Sequence, residues 1–227
     1  MGNPGEPAPE VWVATPAEIG DEQFAAAWKV MLPAERADRF AFDRDAALFV
    51  TARGLIQEVL QGLLGESPAG AWRLEPGRSG RLFVSGRPDI DISISHTHGL
   101  VGVAAFQGGR CGVDVESLRS AVPDFGPSVL TPREAATLSG PDGAEGFVTY
   151  WTLKEAMSKA VGNGLGMDFD QVGFTDFRQG PCGLAEVLPE ARLREFSRRP
   201  QDWRFHHDWV QGNEGDTGLA VAWTFRK

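Results

Sequence analysis

The most constraining feature of the sequence is a run of alternating apolar and polar residues at positions 90–95. Ile90, Ile92 and Ile94 alternate there with small polar or acidic residues. This period of two is typical of a β-strand with one buried face. Strand-like stretches at 100–106 and 111–116 follow after turns at 97–99 and 107–109. We therefore expect three consecutive strands joined by tight turns, forming an antiparallel meander.

Helical patterns flank this predicted meander on both sides. Helices, each with apolar residues at spacings of three and four, are predicted over 17–32, 46–64 and about 146–161. Further strand-like stretches lie at 11–13, 72–75, 82–85, 172–174, 203–209 and 219–225. This mixture of strands and helices predicts an α+β fold with antiparallel sheets.

Two short segments of the chain resemble each other. GLVGVAAF at 99–106 is similar to GLAVAWTF at 218–225, and each is a late strand of its half of the sequence. A length of 227 residues suits one large domain or two small ones that share an interface. Duplication is one interpretation of the repeat, and a chance match between two apolar strands is the other.

Composition excludes several classes of protein. The 22 Lys and Arg against 31 Asp and Glu give a formal net charge of −9, which argues against coating nucleic acid or anionic membranes. Cys111 and Cys182 have no partners at metal-ligand spacing, so neither a disulfide framework nor structural zinc is expected. We recognise no signal peptide and no apolar run of membrane-spanning length. These features predict a protein of the reducing cytoplasm with no nucleic-acid or membrane partner.

Two acidic residues are the first candidates for chemistry. Asp114 and Glu116 lie two apart in a predicted strand, so their side chains project from the same face. Two carboxylates together with substrate phosphates are a common way to hold Mg²⁺. The alternative is a pair of solvent-facing acids on an edge strand.

The predicted helix near 146–161 contains the second candidate group. Trp151, Glu155 and Lys159 are spaced at i, i+4 and i+8, so they share one helical face. An exposed Glu155–Lys159 ion pair is the alternative interpretation. The helix contains two of the four lysines in the chain, Lys154 and Lys159, which favours a function for this face.

The segment Ser93–His98 is the third candidate. Ser95 and His96 are adjacent in a strand and point to opposite faces, which disfavours a serine–histidine nucleophile pair. At a strand end these groups suit hydrogen bonding to a phosphate, or a polar turn that satisfies its own backbone. Positive charge for a phosphate pocket is available from arginines that are equally consistent with solvated surface residues: Arg36, Arg39, Arg44, Arg53 and Arg87.

Four short sequence segments, here called blocks, occur in a fixed order along the chain. Their order and spacing together are a more specific family signature than any one block. The blocks are Gly86-Arg87-Pro88, Ser93-Ile94-Ser95-His96, Gly112-Val113-Asp114-Val115-Glu116, and the helical stretch from Trp151 to Lys159. Together they resemble the 4′-phosphopantetheinyl transferases, specifically the Sfp-like group with two similar halves in one chain. The resemblance implies two α+β halves, here residues 1–107 and 108–227, related by a pseudo-twofold axis with the active site at their interface. The first half would contact the nucleotide end of coenzyme A, and the second would carry the acids and the catalytic helix.

The resemblance also implies a reaction. Coenzyme A would bind between the halves, with Mg²⁺, or Mn²⁺ as an alternative ion, at its pyrophosphate. A serine hydroxyl of an apo acyl or peptidyl carrier protein would attack the β-phosphate, receive the 4′-phosphopantetheine group and release 3′,5′-ADP. Such holo-[acyl-carrier-protein] synthase chemistry depends on positioning and charge neutralisation. We expect a monomeric enzyme.

The resemblance assigns roles to individual residues. Asp114, Glu116 and Glu155 match the metal-binding acids. Glu155 is the predicted general base, Glu116 acting through a metal-held water is its rival, and Lys159 completes the catalytic set. The residues implied in coenzyme A binding are Arg36, Arg39, Arg53, Arg87, Ser95, His96, Lys154 and Lys159.

The first half departs from the family pattern. Where related helices often begin with a basic or polar residue that grips phosphate, this chain has Asp45 followed by apolar residues. The arginines named above are the candidates to compensate. Carrier docking is predicted at Leu118, Val122 and Phe125. The alternative functions are another Mg²⁺-dependent phosphotransferase or phosphohydrolase, and an inactive relative that binds only coenzyme A or a carrier.

Overall fold

A computed structural model of the chain shows, in the residues that it describes, two larger antiparallel sheets, each covered by one long helix, and a two-stranded hairpin. The residues described are 7–16, 43–65, 72–77, 81–120, 126–138, 143–162, 167–175, 180–187, 202–213 and 215–225. The predicted helix at 17–32 lies outside them. Strands and helices are mixed, so the predicted α+β class is confirmed.

The first sheet has three strands in the order β1-β5-β4. These are β1 (Glu10–Ala14), β4 (Ile90–Thr97) and β5 (Leu100–Gln107). Helix α1 (Asp43–Leu64) packs on β1 and β5 and buries Leu55, Ile56, Val59 and Leu60 in their shared core. A small hairpin of β2 (Leu74–Pro76) and β3 (Leu82–Val84) adjoins this core.

Residues 44–64 of α1 are long and apolar enough to cross a membrane, judged by length and composition alone. Polar residues interrupt this segment, so it contains no uninterrupted apolar run of membrane-spanning length. In the fold, the apolar side chains of α1 contribute to the core of the first sheet. The hydropathy of the segment is therefore accounted for by packing within the protein.

The second sheet has five strands in the order β6-β10-β9-β8-β7. Its elements in chain order are β6 (Gly109–Ser117), α2 (Gly126–Val129), α3 (Pro132–Thr137), α4 (Gly143–Val161), β7 (Val172–Thr175), β8 (Gly180–Val187), β9 (Arg204–Gly212) and β10 (Gly215–Phe225). Short 3₁₀ turns lie at Leu118–Ser120 and Phe169–Gln171. Helix α4 packs on β6 and β10 and buries Leu153, Met157 and Ala160.

The two sheets share the order of three of their strands. In the first sheet the last strand, β5, lies between β1 and β4. In the second sheet the last strand, β10, lies between β6 and β9. The similar segments at 99–106 and 218–225 fall on these two last strands, β5 and β10. Their common position supports duplication over a chance match. The proposed boundary at residues 107/108 lies in the turn between β5 and β6.

The predicted three-strand meander is wrong in its third strand. β4 and β5 form the expected antiparallel hairpin, but β6 pairs with β10 of the other sheet. The reason is that a strand has two hydrogen-bonding edges, and those of β5 are occupied by β4 and β1. The chain therefore leaves the first sheet at this turn and begins the second.

The two sheets meet along β4 and β6, which are joined by side chains rather than by a strand ladder. Polar side chains on one face of β4 accept hydrogen bonds from backbone N–H groups of β6. Asp91, Ser93 and Thr97 accept from Cys111, Val113 and Ser117 at 2.9, 3.0 and 3.3 Å, respectively. We call this contact the β4–β6 seam. The polar residues of the alternation at 90–95 thus connect the two halves of the chain. The isoleucines of the same alternation pack in the core of the first sheet.

Candidate active site

A cavity of about 280 Å³ opens beside the β4–β6 seam. Its walls come from β4, β6 and α4. The lining residues are Ile94, Ser95, His96, Asp114, Glu116, Trp151, Glu155 and Lys159. The cavity therefore brings together the three candidate groups that the sequence identified separately.

Close packing of α4 on β6 positions the acids beneath the helix. A Cβ atom added to Gly112 would lie 1.9 Å from the carbonyl oxygen of Ala156 and 2.6 Å from the nitrogen of Ala160. Only glycine allows the helix backbone to approach the strand this closely. As a result, Glu155 and Lys159 reach the same cavity as Asp114, which is two residues after Gly112.

Asp114 is the centre of a buried polar network. Its side chain is 4% exposed, and its Oδ1 accepts hydrogen bonds from Lys159 Nζ at 2.6 Å and from Ser95 Oγ at 2.8 Å. Lys159 Nζ also lies 2.8 Å from Ser95 Oγ. The network links β4, β6 and α4, and its burial excludes the alternative of a solvent-facing acid at Asp114.

Glu116 is held by two weaker contacts. Trp151 Nε1 donates to its Oε1 at 3.4 Å, and Thr97 Oγ1 donates to its Oε2 at 3.5 Å. Burial, followed by the negative charge of Asp114, raises the pKa of Glu116 to about 7. The carboxyl group is therefore partly protonated at neutral pH when no cation is near.

Glu155 is the third acid of the cavity. Burial, and after it the charge of Asp114, raise its pKa, whereas Lys159 lowers it. Its Oε1 and the Oδ2 of Asp114 are buried and have no hydrogen-bond partner among the described residues. Two unsatisfied buried carboxylate oxygens at one cavity suit a hard cation, because such atoms are costly to bury unpaired.

The three acids do not form a closed cation site as they stand. Within the described ranges, no three His, Cys, Asp or Glu side chains are arranged to hold a metal ion. Lys159 supplies the positive charge beside Asp114. The donor chemistry of the cavity nevertheless fits Mg²⁺ or Mn²⁺, since the lining carboxylates offer hard oxygen ligands.

One predicted coenzyme A contact, Lys154, is wrong. Its side chain is fully buried, and its Nζ donates to Glu134 Oε2 at 2.5 Å and to the carbonyl oxygens of Val129 and Phe169. A helix turns about 100° per residue, so residues five apart lie about 140° apart around its axis. Lys154 consequently faces the core of the second half, and Lys159 faces the cavity.

Two predicted phosphate-binding arginines lie away from the cavity lining. Arg53 is buried on α1, with its guanidinium carbon 4.3 Å from the centre of the Phe49 ring. Arg87 forms an ion pair with Asp89 at 2.8 Å. Arg36 and Arg39 lie outside the described residues. Ser95, His96 and Lys159 do line the cavity, as predicted.

The predicted carrier-docking residues are only partly described. Leu118 is half-buried, directly after β6 and two residues from Glu116. Val122 and Phe125 lie outside the described residues. Leu118 is not among the residues that line the cavity.

Thr97 lies within the candidate segment Ser93–His98, but the sequence alone assigned it no role of its own. Thr97 bonds Glu116 and also accepts from the backbone of β6. The signal was present, because Thr97 continues the polar half of the alternation that includes Ser93 and Ser95. Extending the predicted strand by two residues would have found it.

Comparison with known proteins places this cavity in a family context. A family model described as the 4′-phosphopantetheinyl transferase superfamily matches residues 110–222, which include all of α4 and all of β6 except its first residue. The 4′-phosphopantetheinyl transferase HetI of Nostoc sp. is 32% identical over 191 residues, covering 75% of this chain and 80% of that protein. A 4′-phosphopantetheinyl transferase of Bacillus subtilis is 26% identical, covering 70% of this chain and 72% of its own.

Proposed function

The chain belongs to the 4′-phosphopantetheinyl transferase superfamily, and we propose that its cavity beside the β4–β6 seam is the reaction centre. The enzyme transfers 4′-phosphopantetheine from coenzyme A to a serine of an apo acyl or peptidyl carrier protein. The observation that carries the proposal is the Lys159–Ser95–Asp114 network, because it joins a cation, a hydroxyl and an acid at one cavity.

The residues of the cavity suit a highly charged substrate. Lys159 is 28% exposed and can donate to phosphate oxygens, and Ser95 and His96 add hydrogen-bonding groups from β4. In the reaction, the carrier serine oxygen forms a bond to the β-phosphorus, and the bond from that phosphorus to the oxygen of 3′,5′-ADP breaks. Positioning and charge compensation by such groups account for most of the catalysis in phosphoryl transfer.

We propose that Asp114, Glu116 and Glu155 hold Mg²⁺, with Mn²⁺ as a substitute. When bound, the ion would neutralise charge on the pyrophosphate. The unpaired Oδ2 of Asp114 supports this assignment.

Glu155 is the proposed acceptor of the serine proton. Both oxygens of Glu116 already accept hydrogen bonds, from Trp151 and Thr97, whereas Oε1 of Glu155 has no partner among the described residues. An acceptor without a partner can take a proton with little rearrangement. This difference favours Glu155 over Glu116 as the base.

The transfer is tested by incubating the protein with coenzyme A, MgCl₂ and several apo carriers. We expect a phosphopantetheine mass gain on the carrier serine and release of 3′,5′-ADP. Release of phosphate or nucleotide with unmodified carriers would favour a different phosphotransferase or phosphohydrolase. Binding of coenzyme A without any product would indicate an inactive relative.

Glu155→Gln should lower the transfer rate by at least about 100-fold, because an amide cannot accept the proton. Coenzyme A binding, measured by calorimetry, should remain detectable. Glu145→Gln is the matched control, since Glu145 is an exposed acid of the same helix. Near-normal turnover of Glu155→Gln would remove Glu155 from the role of base.

We further propose that the enzyme is a cytoplasmic monomer and that carriers dock near Leu118. The half-buried apolar side chain of Leu118 close to Glu116 supports this docking position. Cross-linking from a cysteine introduced at Leu118 to the modified carrier would test the position, and sedimentation would test the monomer.

A further inference from the structure

An arginine of the first half reaches the end of the helix that carries Lys159. Arg81 immediately precedes β3, and its side chain is 17% exposed. Its Nη1 donates to the backbone carbonyl of Lys159. Its Nη2 donates to the carbonyl of Cys111 at 2.7 Å and lies 2.5 Å from Asp91 Oδ2. One guanidinium therefore contacts β4, β6 and α4.

The acid that fixes Arg81 belongs to the β4–β6 seam. Asp91 is 5% exposed and accepts from Arg81 through both oxygens, with Nε at 3.2 Å from Oδ1. It also accepts from the backbone nitrogen of Cys111 at 2.9 Å. A paired arginine and carboxylate in two-point contact hold a defined geometry. The ion pair with Asp91 therefore fixes the orientation of the Arg81 guanidinium, which also contacts α4.

The carbonyl that Arg81 contacts needs a partner from outside the helix. The last four carbonyls of a helix accept no hydrogen bond from the helix itself. Helix α4 ends at Val161, so the carbonyl of Lys159 is one of these four. A positive charge at a helix C-terminus is also electrostatically favourable. Lys159 is thereby held at two points, its carbonyl by Arg81 and its Nζ by Ser95 and Asp114.

We infer that Arg81 is a positioning residue for the transfer reaction, acting through Lys159. The Arg81–Asp91 pair fixes the end of α4 against the first half and so sets the position of the Lys159 ammonium in the cavity. Arg81 does not line the cavity and acts without touching it. The inference rests on the proposed function of that cavity.

A second arginine provides a matched control. Arg110 Nη1 donates to the carbonyl of Val161 at 3.0 Å, also at the end of α4. Its side chain is more exposed than that of Arg81. Arg110 belongs to β6 of the same half as α4, so it does not tie the helix to β4. If only the loss of a contact at the end of α4 mattered, substitution of Arg81 and substitution of Arg110 should therefore lower transfer equally.

The test is a mutant cycle between Arg81 and Lys159. Arg81→Met, Lys159→Met and the double variant are compared with Arg110→Met for kcat/KM toward coenzyme A, coenzyme A affinity and melting temperature. We expect Arg81→Met to lower kcat/KM by at least about tenfold in the wild-type background, since small displacements of a positioned group cost rate. In the Lys159→Met background, the same change should cost less than about twofold, because the two residues act as one unit.

Two results would overturn the inference. One is an equal loss from Arg81→Met in both backgrounds, which would mean that Arg81 acts independently of Lys159. The other is a loss of similar size from Arg110→Met. If Arg81→Met does not fold, Arg81→Lys replaces it, because one ammonium cannot reproduce the fork of donors. Failure of the proposed function would show separately, as unmodified carriers with the wild-type protein, and the cycle is then read from coenzyme A affinity.

Discussion

At the scale of single residues, the two lysines of α4 have different tasks. Lys154 is enclosed in the core of the second half and neutralises Glu134, which is itself buried. Glu134 also accepts from the backbone nitrogens of Thr131 and Phe174. This ion pair therefore ties α3 and β7 to α4. Lys159 instead places its charge in the cavity beside Asp114.

Substitution of each lysine by methionine should separate stability from activity. Lys154→Met leaves the Glu134 carboxylate buried without its cation, which should lower the free energy of unfolding by about 3–5 kcal/mol. Lys159→Met removes a partly exposed cation, so it should destabilise the fold less than Lys154→Met does, and it should lower transfer by at least about 100-fold. Thermal unfolding and the carrier assay measure the two effects. A stable but inactive Lys154→Met protein would contradict this division of roles.

The raised pKa of Glu116 predicts a stability effect with a defined sign. An acid whose folded-state pKa rises from 4.5 to about 7 stabilises the fold while protonated, and that contribution is lost as the pH rises through 7. Glu116→Gln should therefore raise the melting temperature at pH 8, without divalent ions, by about 2–4 °C. At pH 4.5 the same substitution should be nearly neutral. An equal shift at both pH values would show that charge burial is not the cause.

At the scale of elements, the contact between α4 and β6 determines whether the cavity exists. The sequence predicted the strand and the helix separately, and it predicted their acids and lysine from the spacing of motifs. Their close approach could not be predicted, because a glycine in a strand signals a bulge or close contact without naming the partner. The capping box Thr131-Pro-Arg-Glu134 shows a different kind of omission, since its sequence signature was readable and predicts the start of α3.

Gly112→Ala should move α4 away from β6 and open the cavity. The added methyl would overlap the carbonyl of Ala156, so we expect destabilisation of about 1–3 kcal/mol together with a large loss of transfer. Gly62→Ala on α1 is the control, because its Cβ would meet only Trp12 at 3.9 Å. That substitution should stabilise the helix by up to about 1 kcal/mol. Normal activity of Gly112→Ala would show that the close approach is dispensable.

At the scale of the whole molecule, the seam between the sheets was the part least accessible from sequence. Alternation at 90–95 correctly identified a strand with one polar face, but a polar face ordinarily indicates solvent. Here it meets the backbone of β6, which belongs to another sheet. The pairing of β6 with β10 depends on residues about 100 positions apart, and local patterns do not specify such contacts.

The net charge of the molecule predicts how transfer depends on salt. With a formal charge of −9, the enzyme repels an acidic carrier at long range. Raising NaCl from about 20 mM to about 300 mM shortens the screening length to below about 10 Å, so kcat/KM for an acidic carrier should rise a few-fold. A near-neutral carrier serves as control and should show little change. A fall with salt for the acidic carrier would indicate attraction by a local basic surface.

The shared strand order allows equivalent positions of the two sheets to be compared. Asp114 pairs with Ala220 on β10, and the corresponding position of the first sheet pairs Ala14 with Val101 on β5. Alanine has no side-chain oxygen that could bind a cation or accept a hydrogen bond. The two sheets are therefore alike in the order of these strands and different in the chemistry of this position. The three cavity acids lie in the second half, and the first half contributes Ser95 and His96 to the same cavity. Both halves therefore supply side chains to one cavity.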